Sequence, residues 1–169
     1  MSEPDRSLAR RGRVSVLRGL VGRRVAEAAP AAPPRADAVR RYGTLQLRHV
    51  DAGSCNGCEV EIAQALGPVY DAGRYGARLV ASPRHADGLL VTGVVSANMA
   101  GPLRRTLEAV PRPAIVIACG DCAVSGGGLT DGVGVVGAVD AVVEPDERIP
   151  GCPPHPDAIV AALRRYSGR

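Results

Sequence analysis

Phenylalanine, tryptophan and lysine are absent from this sequence, and tyrosine occurs only four times. A core has to be assembled from Val, Leu, Ile and Ala. Apolar residues make up 46% of the 169 positions, enough for a packed interior. With no lysine, every strong base is Arg, which reads as compositional bias rather than chemistry. No apolar run approaches the roughly 20 residues that a bilayer-spanning helix needs. The Arg10-Arg11 pair suggests a twin-arginine export signal, but Arg18 interrupts the apolar stretch Val14 to Gly22 and Arg23-Arg24 closes it. A secretory segment needs a cleaner apolar run, so the expected location is the cytoplasm. In that reducing compartment the five cysteines read as ligands or free thiols, not disulfides.

The net charge of +4 is unevenly placed. Residues 1–41 carry ten Arg against four acids, for +6, and residues 42–169 carry eleven Arg against thirteen, for −2. The basic character belongs to the N-terminal extension, so no nucleic-acid partner is expected of the remainder. Within the extension, Val14, Leu17, Val21 and Val25 recur at helical spacing between arginines. That pattern suits a basic amphipathic helix on lipid headgroups or an acidic partner; a frayed tail is the alternative. The Ala28–Asp37 stretch, AAPAAPPRAD, reads as an extended linker.

From residue 42 to 169 the pattern alternates strand and helix. Strands are expected at Thr44–Val50, Arg78–Ser82, Gly88–Gly93, Ala114–Cys119 and Val139–Glu144. Helices are expected at Cys58–Leu66, Gly101–Ala109 and Pro156–Tyr166. The AIVIAC run is a continuous apolar strand of the kind buried on both faces of a parallel sheet. Such alternation predicts an α/β fold with a mostly parallel sheet.

Four cysteines follow predicted strands. Cys55 and Cys58 lie in DAGSCNGCEVE, Cys122 in GDCAVSGGG and Cys152 in IPGCPPHP. Ligand sites of open α/β sheets lie at the carboxyl ends of the strands, so these loops can bring four thiolates to one metal site. Asn56-Gly57 permits a tight turn, and Gly126-Gly127-Gly128 keeps backbone bulk away. A helix starting near Cys58 would direct N–H groups at bound negative charge. Spacing alone leaves three chemistries open: an iron–sulfur cluster, a zinc site pairing Cys55/Cys58 with Cys119/Cys122, and a redox-active CxxC.

The ordered motifs Ser54-Cys55-Asn56-Gly57-Cys58, Gly120-Asp121-Cys122-Ala123 with Gly126-Gly127, and Gly151-Cys152-Pro153-Pro154-His155-Pro156 resemble the small subunits of energy-converting nickel–iron hydrogenases. They also resemble the homologous cluster-bearing component of NADH–quinone oxidoreductase (complex I). The segment from Ser82 to Gly93 is similar to that family's SPRxADxLLVxG, and the resemblance runs from about Leu45 to Leu163. It implies a flavodoxin-like α/β domain, with helices on both faces of its sheet, holding one 4Fe–4S cluster. The family's ligand pattern falls on Cys55, Cys58, Cys122 and Cys152, leaving Cys119 as a buried free cysteine that acts as a small hydrophobe.

The complex I component usually has adjacent cysteines in the first motif. Here Asn56-Gly57 separates them, as in the hydrogenase branch of formate hydrogenlyase and membrane-bound hydrogenase complexes. The resemblance implies an electron-transfer subunit without a substrate pocket, peripheral on the inner face of the cell membrane. Its implied partners are a hydrogenase or dehydrogenase large subunit, a ferredoxin-like cluster subunit and membrane-integral subunits. Two other readings remain: a complex-I-type quinone reductase subunit and a zinc-stabilised α/β interaction module. Glu61, one turn beyond Cys58, is a candidate proton relay beside the cluster, with a solvated helix residue as the alternative. His155 is a second candidate relay, weighed against an ordinary surface histidine. Arg84 is expected to pair with Asp87 or with an acidic partner group, and Asp121 to shape the turn.

Overall fold

The computed structural model describes residues 44–169 together with Ala31; the amphipathic segment and linker expected within residues 1–41 otherwise lie outside the described residues. The segment LQLRHVD forms β1 (Leu45–Asp51), with Leu45, Leu47 and Val50 buried. It pairs in parallel with β2 (Ala77–Leu79) on one side and β3 (Gly88–Thr92) on the other. Beyond β3 come β5 (Ile115–Cys119) and β7 (Glu147–Ile149), again parallel. The order β2-β1-β3-β5-β7 is the flavodoxin-like 2-1-3-4-5 when sheet strands alone are counted. All residues of β3 and β5 are buried, as their uninterrupted apolar sequence requires.

Two apolar layers sandwich this sheet. Helix α1 (Gly57–Leu66) and helix α4 (Pro156–Ser167) cover Leu45, Leu47, Leu90, Ile117 and Cys119. Helix α2 (Ala97–Ala109) and the short α3 (Asp121–Ser125) cover Leu89, Val91, Val116 and Ala118. With Phe and Trp unavailable, Tyr166 of α4 supplies the aromatic bulk and is 1% exposed. Arg165 pairs with Glu147 at 2.6 Å and ties α4 to the edge strand. Leu90 sits fully buried in the middle of the sheet. Leu90→Ala is expected to cost about 2–5 kcal/mol, measured as a lowered urea midpoint with an unchanged slope.

Two expected strands need correction. Val139–Glu144 is not a strand: Val139–Ala141 is a turn of 3₁₀ helix, and the chain joins the sheet only at Glu147. Val139, Val142 and Val143 are spaced to press one side of a turn onto the second layer, without the alternation of a strand. Asp146 then docks on β5, accepting from the Val116 N–H at 2.9 Å and donating its own N–H to the Val116 carbonyl at 2.8 Å. The Arg78–Ser82 strand ends early, at Leu79. Ser82 caps a 3₁₀ turn at Pro83–His85, its hydroxyl accepting from the Arg84 N–H at 3.3 Å. A second, two-stranded antiparallel sheet of β4 (Val95–Ser96) and β6 (Val135–Gly137) adds to the expected elements.

Candidate metal centre

The cysteine loops all leave the sheet at its carboxyl end. After β1, the Asp51 carboxylate accepts from the N–H groups of Gly53 at 2.9 Å and Ser54 at 2.8 Å. Ser54 Oγ then accepts from the Asn56 N–H at 3.1 Å. Asn56 adopts the left-handed conformation, φ 71°, which asparagine tolerates better than most residues. This turn delivers Cys58 into the first turn of α1, where it is 8% exposed. Asp121 does more than shape its turn. Its carboxylate accepts from the Gly151 N–H at 2.7 Å and its own N–H donates to the Gly151 carbonyl at 2.8 Å. The Cys122 and Cys152 loops are thereby clamped together.

Cys55, Cys58, Cys122 and Cys152 line one cavity of 180 Å³, with Gly93, Asp121 and Pro153 among its walls. Cys55 and Cys152 are exposed, Cys122 is half-buried and Cys58 is buried. The thiols surround the space instead of meeting at a point: among the described residues, no group of three His, Cys, Asp or Glu side chains is placed to hold a single ion. Glycines make the room. A Cβ on Gly120 (φ +93°) would lie 2.4 Å from Cys58 Sγ, and one on Gly127 would lie 2.8 Å from Cys122 Sγ.

The electrostatics favour a cationic occupant. Burial, then Glu59, then the other three thiols push the Cys58 pKa up to about 11. Burial, with Cys152 and Cys55, also raises Cys122. Thiolates so placed repel one another until positive charge separates them, and the positive end of the α1 dipole stabilises negative charge on the Cys58 sulfur. Donor chemistry and glycine-lined space both fit an iron–sulfur group.

Cys119 stands apart. It is fully buried at the end of β5 among Ile117, Ile149 and Ala65 in the first apolar layer, and burial pushes its pKa up to about 12. In protein stripped of metal, iodoacetamide at pH 8 is expected to modify Cys55 and Cys152 and to spare Cys119, because the thiolate is the nucleophile. Peptide mass mapping reads this out.

The two candidate relay residues are not cavity-lining. Glu61 is half-buried on α1. His155 caps α4, is 66% exposed, pairs with Asp157 at 3.4 Å and lies edge-on to Tyr70. Asp87 accepts from the Gln46 N–H at 2.7 Å, not from Arg84, which is exposed.

Sequence reasoning missed a different carboxylate. Glu59, next to Cys58, accepts a hydrogen bond from the Thr92 hydroxyl. Thr92 Oγ1 lies 2.9 Å from His49 Nε2, which is 3.5 Å from Glu59 Oε1. The available signal was Thr92 itself, a polar residue closing the otherwise apolar, wholly buried strand GLLVT, since a buried hydroxyl needs a partner.

A flavodoxin-like α/β domain with four thiols around a cavity at the sheet's carboxyl end falls in the class of oxidoreductase subunits. The chain belongs to the family described as NADH ubiquinone oxidoreductase, 20 Kd subunit, whose model matches residues 55–166. That family is associated with iron–sulfur clusters. The probable membrane-bound hydrogenase subunit mbhJ of Pyrococcus furiosus is 46% identical over 112 residues, covering 66% of this chain and 67% of that one. Formate hydrogenlyase subunit 7 of Escherichia coli is 50% identical over 109 residues, 64% of this chain but only 43% of that protein's length. Among solved structures, the archaeal membrane-bound sulfane sulfur reductase matches with a TM-score of 0.66 at 28% identity, over 79% of this chain and 72% of that one. No helix among the described residues is long and apolar enough to cross a membrane.

Proposed function

We propose that residues 42–169 form an electron-transfer domain holding one 4Fe–4S cluster on Cys55, Cys58, Cys122 and Cys152. The chain then serves in a membrane-associated hydrogenase-like complex of the formate hydrogenlyase or membrane-bound hydrogenase type. The observation that carries this reading is the placement of four thiols from three strand ends around one cavity. A bound cluster supplies one-electron chemistry without large rearrangement. The protein's part is to hold it. The four sulfurs ligate iron as thiolates, the Asp121–Gly151 clamp fixes two of the loops, and Gly120 and Gly127 leave the sulfurs space.

Burial differs among the four thiols. Cys58 lines the cavity from a buried position, while Cys55 and Cys152 are exposed and open to a neighbour. Electrons enter and leave on that open side, where a large subunit and a ferredoxin-like subunit dock. Membrane-integral subunits hold the assembly on the cytoplasmic face of the membrane, and the basic extension 1–41 contacts lipid headgroups or an acidic partner surface. The Asn56-Gly57 spacer and the 46% identity to the hydrogenase subunit favour this branch over a complex-I-type quinone reductase. A zinc module fits less well, because one ion and its thiolates need a point of convergence.

Anaerobic full-length protein treated with dithionite is expected to bleach its visible absorbance and develop the paramagnetic signal of a reduced cluster, both reversed by a mild oxidant. A colourless protein unchanged by dithionite would contradict the assignment.

A further inference from the structure

Beneath the cavity, three polar side chains stand on the sheet face that α1 covers. His49 comes from β1, Thr92 from the last position of β3 and Glu59 from the first turn of α1. Thr92 has one proton and gives it to Glu59 Oε1, so its oxygen accepts from His49 Nε2–H at 2.9 Å. The result is a directed chain from imidazole to hydroxyl to carboxylate. The carboxylate's other oxygen, Oε2, is buried and has no hydrogen-bond partner among the described residues. A buried polar atom without a partner costs free energy, and in native proteins it calls for a functional explanation.

Electrostatics give that explanation. Glu59 directly follows Cys58 in the first turn of α1, and after burial its charge is the largest influence raising the Cys58 thiol. Burial outweighs the opposing pull of Glu59 and Asp51 and keeps the His49 pKa below its ordinary value, so at neutral pH the imidazole is uncharged. Arg48, on the same strand, faces the other side of the sheet by the alternation of β1.

We propose that Glu59, held by Thr92 and His49, is a positioning residue that fixes a negative charge beneath Cys58 and lowers the reduction potential of the bound cluster. The inference rests on the cluster reading given above. Adding an electron beside a fixed negative charge is unfavourable, and net charge near the cluster is one of the levers that sets its potential. Thr92 and His49 hold the carboxylate in place next to Cys58 in the first turn of α1.

The test is a midpoint potential, followed by paramagnetic resonance on anaerobic full-length protein, with iron and sulfide measured on the same samples. Glu59→Gln keeps the size and the acceptor oxygen for Thr92 while removing the charge. It is expected to load iron and sulfide as the unchanged protein does and to titrate at a higher potential. Glu108→Gln, an exposed carboxylate on α2, is expected to leave the potential where it was. A loaded Glu59→Gln protein with an unshifted potential, or one that shifts no more than Glu108→Gln, overturns the proposal. If Glu59→Gln and Glu59→Ala both fail to load while Glu59→Asp loads, Glu59 acts in assembly and the potential-setting role is likewise overturned. An unchanged protein without iron and sulfide would refute the cluster reading itself and the inference with it.

Discussion

Replacing Cys122 with serine is expected to remove most of the iron, whereas replacing Cys119 with serine is expected to leave it bound. The two residues are three positions apart and would form a CxxC pair in a zinc-type reading. The fold separates their environments. Cys119 ends β5 with its side chain in the apolar layer under α1, fully buried. Cys122 lies beyond the Gly120 turn, half-exposed on the cavity with Cys55, Cys58 and Cys152. Serine at 122 offers a harder, more basic donor in place of a thiolate, and soft ligands select iron–sulfur centres. Serine at 119 instead buries a hydroxyl among Ile117, Ile149 and Ala65, which costs about 1–3 kcal/mol. Loss of iron without much loss of stability at 122, and loss of stability without loss of iron at 119, is the expected double dissociation. Iron assay and thermal unfolding measure the two. Equal loss of iron in both variants would overturn the ligand assignment.

Gly120→Ala is expected to damage the cavity directly. The residue sits at φ +93°, and an added Cβ would lie 2.4 Å from the Cys58 sulfur. Holding a non-glycine residue in such a region costs about 1–3 kcal/mol. The contact adds displacement of the Cys58 sulfur, the most buried of the four cavity thiols. Gly128→Ala is the matched control. It too has positive φ, +76°, but its Cβ would meet nothing within 4 Å. It is expected to lose stability on the order of 1–2 kcal/mol and keep its iron, while Gly120→Ala loses both. If Gly128→Ala lost iron to the same extent, backbone strain in the loops and not crowding of the sulfur would be the cause.

Most of the sheet was legible because its central strands are compositionally extreme. Gly88–Thr92 and Ile115–Cys119 are buried on both faces, so their sequences run apolar without a break. Val139–Glu144 misled for the same reason: its valines are apolar and β-branched, but they pack one side of a turn, and only the Asp146 contacts to Val116 show where the edge strand begins. The cysteine cavity was legible because sites of open α/β sheets form in loops at the carboxyl ends of their strands. Glu59 was not. Glu59 and Glu61 are two residues apart on one helix, and choosing between them needs the rotation of α1 against Thr92 and His49. That rotation is set by Ile62 and Ala65 packing onto the sheet, contacts that no local pattern encodes.

The most direct test of the central claim is the metal and labile-sulfide content of full-length protein purified without oxygen. About four irons and four sulfides per chain, the cubane stoichiometry, is the predicted result. About one zinc and no sulfide would contradict it and leave a structural module with no part in electron transfer.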